Sequence, residues 1–454
     1  MKMPATPPDF RVEIIQDPHF FERVAPLLRL PAPQEYPHWD KLRRLSSPTG
    51  FTHQEWWAAL KIGRLAQMKT LPLLDKAQQP FRFMVPDRVA QQLHEIDLGG
   101  GGKIAMPSAV TNPQTRDQYL MSSLMQEAIT SSQLEGAVTT REVAKEMLRV
   151  GRPPGDRSER MILNNFLTMR RIIELRDEPL TPQLICEIHE RVTEGTMKTP
   201  GAAGRLRRAE EPVTVEDDTG EVFHYPPAAG ELEERMERMC AFANGRTPDV
   251  FVHPALRAII LHFWLGYDHP FVDGNGRTAR ALFYWAMLRQ GYWLFEFISI
   301  SDILLKAPAK YYRSFLYSET DENDLTYFLV HQTEVIRRAI QNLHSYIHRK
   351  TAEVEEGEWL LRGWDSLNHR QVALISHALR HPGMNYSIEG HQRSHDSAYD
   401  TARRDLLALA SQGLLAQGKR GRAMVFRAPP DLAARIKHPA AQAGGTPLIN
   451  PSTL

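Results

Sequence analysis

The string His269-Pro-Phe-Val-Asp-Gly-Asn-Gly-Arg-Thr-Ala-Arg280 places a base, a carboxylate, two glycines and two arginines within twelve residues. Gly274 and Gly276 flank Asn275 where a loop turns into a helix. Glycines let backbone N–H groups converge, and a helix N-terminus carries partial positive charge. Together they form an anion site suited to a diphosphate. Arg277 and Arg280 are three apart, so they share a helix face and can grip further phosphates through forked hydrogen bonds. Asp273 suits Mg²⁺, which takes one carboxylate plus phosphate oxygens. His269, four residues upstream, can accept a proton from an incoming hydroxyl. Phe271 is expected to point inward and fix the loop. An in-line displacement on a metal-bridged phosphate chain needs these parts.

The elements that must hold this loop read as helices. Pro254 opens one that is apolar nearly all round, as a central buried helix is. Another runs from near Asn275 to Gly291. Upstream, Leu120, Leu124, Ala128 and Ser131 recur at helical spacing, with Gly136 as C-cap. Thr140 opens a helix to Val150, Ser158 reads as an N-cap, and Pro182 suits a first turn. Downstream helices cover Tyr311–Ser318 and Leu325–Tyr346. One stretch departs from this. Pro212 to Tyr225 puts β-formers around Asp217-Asp-Thr-Gly220, which is a hairpin pattern ended by Pro226-Pro227.

The twelve-residue string matches the motif of the Fic family at every defined position, His-x-Phe-x-Asp-Gly-Asn-Gly-Arg-x-x-Arg. Many members transfer AMP from ATP to a protein hydroxyl. The resemblance implies His269 as general base, Asp273 as Mg²⁺ ligand, and Gly274, Asn275, Gly276 and Arg277 as binders of the α- and β-phosphates. Arg280 would hold the γ-phosphate. The phosphotransferase branch of the family has lysine at the position of Gly276, so glycine here points to AMP transfer. A second match, Ser131-Ser-Gln-Leu-Glu135-Gly136, resembles the family's inhibitory motif, whose glutamate pairs with the second motif arginine. That implies an ion pair of Glu135 with Arg280 that denies the γ-phosphate its partner. The hairpin, with Val222, Phe223, His224 and Tyr225, resembles the family's flap, which docks a target segment by strand addition. Lys310-Tyr311-Tyr312 resembles a segment whose first tyrosine, Tyr311 here, approaches the nucleotide. Relatives often carry asparagine eight positions beyond it, where this chain has Glu319. The resemblance covers roughly residues 90 to 345.

The expected fold class is mainly α: a Fic-type helical core with a β-hairpin flap, plus a C-terminal winged-helix domain. The expected division is a mixed segment 1–112, with a flexible joint at Gly99-Gly-Gly-Gly102, a catalytic core 113–350, a winged-helix module 365–430, and a disordered tail 438–454. In the third of these, a helix Asn368–Arg380, a turn and short polar segment, a helix Ser397–Gln412, a basic turn Lys419-Arg-Gly-Arg422 and a strand Met424–Arg427 follow one another. Arg403, Arg404, Lys419, Arg420 and Arg422 make DNA a candidate partner for it. Asp396, Asp400 and Asp405 dilute that charge.

Composition narrows the classes. Net charge is +1, so no global field draws the chain to nucleic acid or membrane. The two cysteines, Cys186 and Cys240, make no disulfide framework and fit a cytoplasmic protein. The most apolar run, Ala255–Leu265, is interrupted by Arg257 and His262 and falls far short of the ~20 residues that span a bilayer. His253, His262 and His269 match no metal-ligand spacing, so His253 and His262 read as packing or capping residues. Arg205, Arg207 and Arg208 read as a solvated basic turn before the flap, with target binding as the alternative. The functional expectation is thus an autoinhibited adenylyltransferase that uses ATP and Mg²⁺ on an unidentified target protein, self-modification included, with homodimers in keeping with the family. Its rivals are a DNA-binding regulator with a nucleotide-sensing core, and a hydrolase that removes AMP with Glu135 positioning water.

Overall fold

A computed structural model describes residues 2–30, 33, 35–100, 113–217, 219–361, 367–380, 383–395, 397–420 and 423–437. They fall into two compact units, Met1–Leu343 and His344–Leu454.

At the centre of the first unit is helix Pro254–Asp268. Pro254 occupies its first turn, and His253 caps it, with Nδ1 accepting from the Ala255 amide at 3.3 Å. Ile259, Ile260, Leu261, Phe263, Trp264 and Leu265 are all buried. Each such side chain contributes roughly 1.5–3 kcal/mol on burial, so this helix anchors the unit. Residues 269–274 reverse the chain into helix Asn275–Arg289, which packs along it. Helices Pro113–Leu134, Arg157–Glu174 and Pro182–Thr193 surround the pair. Pro308–Thr320 and the long helix beginning at Thr326 complete the unit.

Several local readings are corrected. Asp156, not Ser158, caps Arg157–Glu174, since its carboxylate reaches the Glu159 amide at 2.8 Å. Ser158 instead accepts from the Val138 amide at 3.2 Å. Gly99 and Gly100 are no joint. They end helix Asp87–Gly100, where Ile340, Tyr292 and Phe295 approach so closely that a Cβ would meet them at 3.0–3.4 Å. Gly101, Gly102 and the tail 438–454 lie outside the described residues.

The first hundred residues belong to the same unit as the motif. Lys61, on helix His53–Leu65, reaches Asp321 at 2.8 Å, with both side chains only 2% exposed. A hairpin of Lys69–Leu74 and Pro80–Phe83 also escaped the sequence reading. Pro72 and Pro80 disguise it, and a two-stranded ribbon tolerates proline because both strands are edges. The expected flap hairpin is present but short, with Val215–Glu216 paired to Val222–His224.

The second unit contains helices His369–Arg380, Ile388–Ser394, Tyr399–Ser411 and Leu432–Lys437. Its antiparallel three-stranded sheet is ordered Asn385–Ser387, Ala423–Arg427, Ala416–Arg420. The stretch expected to be a turn and polar segment therefore holds a strand and a helix. Leu374, Ile375, Leu406, Leu409 and Phe426 form its core. Asp405 is buried, accepting from Asn368 and from Arg370, each at 2.7 Å, so it does not dilute surface charge as expected. Asp396 and the Gly421-Arg422 tip of the basic turn lie outside the described residues.

Candidate active site

The last carbonyls of a helix lack intrahelical partners. At the end of Pro254–Asp268 they organise the site. His269 takes a left-handed conformation, φ 43° and ψ 57°, as C-cap, and its amide returns to Leu265 O at 3.0 Å. Its ring Nδ1 lies 3.2 Å from Gly266 O. A carbonyl only accepts, so Nδ1 carries the proton and Nε2 of the neutral ring keeps its lone pair. Desolvation lowers the ring's pKa to about 4, and the contact with Gly266 O opposes that shift. The imidazole is therefore an unprotonated base at neutral pH.

Buried pairings hold this turn in place. Arg235 donates through Nε and an Nη to Asp268 at 2.9 and 2.7 Å, and Trp264 Nε1 donates to the same carboxylate at 3.0 Å. Phe271 is fully buried and stacks on His189 with ring centroids 3.7 Å apart. His189 Nδ1 accepts from the Gly204 amide at 3.0 Å, and its Nε2 donates to Asp273 O at 2.8 Å. Burial lowers the His189 pKa to about 4, which keeps the ring neutral for this double role. Neither Arg235 nor His189 was singled out from sequence. A lone histidine or arginine on a helix carries no local signal of a partner 30 to 80 positions away.

The residues of the candidate phosphate cradle sit in distinct environments. Gly274 has φ +84°, and a Cβ there would lie 2.4 Å from Thr193 Cγ2, so only glycine fits. The Asn275 side chain does not face outward. Its Oδ1 accepts from the Phe271 amide at 3.0 Å and its Nδ2 donates to Phe271 O at 2.8 Å, which closes the turn. Arg277 is buried and donates to Val192 O at 2.9 Å, while its buried Nε has no hydrogen-bond partner among the described residues. Asp273 is 41% exposed, 3.3 Å from Arg157. One exposed carboxylate beside a glycine-rich helix start fits Mg²⁺, which draws its remaining ligands from phosphate and water. Among the described residues no cluster of three or more His, Cys, Asp or Glu forms a protein-only metal site.

Arg277 and Arg280 do not act as a matched pair, because different neighbours hold them. Arg280 donates from Nε to Ser131 Oγ at 2.8 Å, and from Nη2 to Ser131 O at 2.9 Å and Glu135 Oε1 at 2.8 Å. Burial works against its charge, but Glu135, Tyr311 and Glu127 together offset that and raise its pKa. Gly136, at φ +86°, ends the segment that delivers Glu135. The Glu135 carboxylate lies over Gly276, where a Cβ would be 2.2 Å from Oε1. Glu135 thus occupies space next to the candidate anion cradle.

These groups border a cavity of about 620 Å³ whose lining includes Glu135, His269, Gly276 and Arg280. Leu305, Tyr311, Tyr312, Phe315 and Glu319 line it too, as do the flap residues Phe223 and His224. Tyr311 is buried, with its hydroxyl 2.8 Å from His262 Nε2. His262 is fully buried and packs against Phe283 and Phe328, and His253 caps its helix, as expected for both. Val222 and Tyr225 are not among the lining residues, and Tyr225 is 57% exposed. His224 Nε2 donates to Tyr267 O at 2.7 Å, and its Nδ1 lies 2.6 Å from Glu319. Glu319, the departure from the family pattern, is therefore tied to the flap.

The fold and site together define an αα-hairpin whose turn presents the neutral His269 ring and the Gly276 backbone to a cavity that residues of the short hairpin also line. Residues 179–287 match the family described as Fic/DOC. A protein adenylyltransferase Fic from Nematostella vectensis is 28% identical over 220 residues, 48% of this chain and 48% of that protein. One from Aedes aegypti is 33% identical over 117 residues, 26% of this chain and 21% of that one. The chain spans about half, or less, of these curated relatives. A crystal structure of a Fic family protein from Desulfovibrio desulfuricans G20 shares the fold, with TM-score 0.52 and 19% identity. The match covers 76% of this chain and 97% of that one.

Proposed function

We propose that this chain is a protein adenylyltransferase that moves AMP from ATP to a side-chain hydroxyl of a target protein and is restrained by Glu135. The observation that carries this reading is the His269 ring: Nδ1 is committed to Gly266 O, and Nε2 is left as acceptor on a residue that lines the cavity beside Gly276 and Arg280.

In the proposed step the hydroxyl oxygen attacks the α-phosphorus. The bond to the β-phosphate oxygen breaks, pyrophosphate leaves, and the hydroxyl proton passes to His269 Nε2. The amide-rich turn at Gly274–Gly276 and the buried Arg277 would hold the phosphate chain. Asp273 would hold Mg²⁺, which when bound neutralises phosphate charge. Tyr311, Tyr312 and Phe315 offer aromatic surface for the base. Val222 and Phe223 would align an extended target segment, as strand addition does.

Incubation of wild type, Glu135→Gly and His269→Ala with each of the four labelled nucleoside triphosphates tests the reading. The expected result is a labelled protein band from ATP with Glu135→Gly and none with His269→Ala. Label retained by His269→Ala would remove the base. A hydrolase would instead give no labelled band with either form.

The second unit supports a winged-helix reading through its order of helix, strand, two helices and a hairpin. Arg403 and Arg404 are exposed on Tyr399–Ser411, so DNA remains its proposed partner, tested by mobility shifts across salt concentrations. A cytoplasmic setting is supported by two unpaired cysteines. Among the described residues no helix is long and apolar enough to cross a membrane.

A further inference from the structure

Arg205, Arg207 and Arg208 read alike in the sequence as a solvated basic turn, and the structure separates Arg207 from its neighbours. Arg205 is ion-paired with Glu211 at 2.6 Å, and Arg208 is exposed. Arg207 is 7% exposed and has no salt bridge among the described residues. Its Nε donates to His269 O at 3.0 Å, and an Nη donates to Pro227 O. Its backbone amide donates to Pro270 O at 2.9 Å.

A buried guanidinium without a directly paired carboxylate is costly to place, and here only the through-space charge of Asp268 offsets its desolvation. Here it binds two carbonyls that belong to different parts of the site. His269 O belongs to the left-handed cap at the end of Pro254–Asp268, where carbonyls carry partial negative charge. Pro227 O lies three residues beyond His224, the last residue of the flap's second strand. His224 makes a parallel link, from the same end of the flap to Tyr267 O. Arg207 and His224 thus tie the flap to the carbonyls on either side of Asp268.

We propose that Arg207 is a positioning residue that holds the flap in register with His269, so that a docked hydroxyl and the accepting Nε2 meet in one geometry. The inference rests on the AMP-transfer reading above. Arg207 acts through backbone carbonyls and touches neither the phosphate cradle nor the residues that pair with Arg280. Its loss therefore affects alignment and spares nucleotide affinity.

The test uses the full chain in the Glu135→Gly background, with Arg207→Met, Arg207→Lys and, as a charge control, Arg208→Met. Misplacing a reacting group by about 1 Å costs on the order of 100-fold. Arg207→Met is expected to lower the rate of label transfer from ATP roughly 10- to 100-fold. Binding of a fluorescent ATP analogue should stay within about twofold, well under a factor of ten and hence under 1.4 kcal/mol. Arg207→Lys, which keeps the charge but bridges only one carbonyl well, is expected to fall between. An unchanged rate, an equal loss of nucleotide affinity, or an equal loss in Arg208→Met overturns the proposal. If Arg207→Met does not fold, Arg207→Lys carries the same comparison. If the Glu135→Gly parent transfers no label, AMP transfer itself fails, and amide exchange then decides the coupling without turnover. Arg207→Met must accelerate exchange at Val222, Phe223 and Phe271 together, and unchanged protection at either the flap or the loop overturns it.

Discussion

Replacing Glu135 with glycine is expected to raise AMP transfer, and the structure sets the scale. Arg280 makes three hydrogen bonds, of which two go to Ser131 and survive the change. The third, to Glu135 at 2.8 Å, is charge-assisted, with the guanidinium 2% exposed and the carboxylate 25% exposed. A hydrogen bond to a charged group is worth roughly 1.5–3 kcal/mol net. At 1.36 kcal/mol per factor of ten, a γ-phosphate that must displace Glu135 is handicapped roughly 10- to 150-fold. Ser131 still satisfies part of Arg280, but the buried guanidinium loses the carboxylate it is paired with, so the variant should also be less stable than wild type. Removing the carboxylate also clears the space over Gly276. Glu135→Gln keeps the bulk and drops the charge, so its gain should be smaller. The assay is label transfer from ATP at fixed enzyme concentration, with ATP affinity measured in parallel. A Glu135→Gly protein that folds, binds ATP as wild type does and transfers no faster would refute the reasoning.

His269→Ala is expected to cut transfer by about 100- to 10,000-fold, the usual contribution of a general base, and a smaller loss would mean another group takes the proton. Because burial lowers the His269 pKa from 6.5 to about 4, the ring stays unprotonated down to that pH. The acid limb of kcat/KM in Glu135→Gly should therefore fall near 4, and a limb near 6.5 would contradict the burial argument. His38, His189 and His262 are likewise held low by burial, to about 4, 4 and 3. The unfolded chain, titrating near 6.5, then binds more protons below that pH. Stability is full above 6.5 and declines as pH falls towards 4, by up to about 1.4 kcal/mol per pH unit for each ring. A urea midpoint equal at pH 8 and pH 5 would rule this out. Gly274→Ala adds a clash with Thr193 to left-handed strain, whereas Gly291→Ala, at φ +85° with open space, adds strain alone. The first should be less stable by a further ~1–3 kcal/mol of overpacking and so melt at a lower temperature; equal shifts would show that the Thr193 contact yields freely.

What the sequence determined by itself was local. A cap, a turn and a glycine-requiring φ depend on residues a few positions apart, so Pro254, Thr140, Gly136 and the loop 269–280 were legible in place. The hairpin before Pro226 was legible for the same reason, through its β-formers and Asp/Gly turn. The Lys69–Phe83 hairpin was not, because its prolines mask strand character that pairing overrides. The pairing of Glu135 with Arg280 was expected only through family resemblance, since no periodicity links residues 145 apart. Tertiary structure alone decided the rest. It buried Arg207 while leaving Arg208 in solvent, although both read alike in the sequence. It stacked His189 on Phe271, set Asp268 between Arg235 and Trp264, and joined Glu319 to His224. Each of these depends on where packed helices bring distant side chains, and burial then changes what a charge or a ring can do. The loop's chemistry is written in twelve residues. Which of its groups are free to act is set by neighbours from five other segments of the chain, and Arg280, its last residue, is held by one of them.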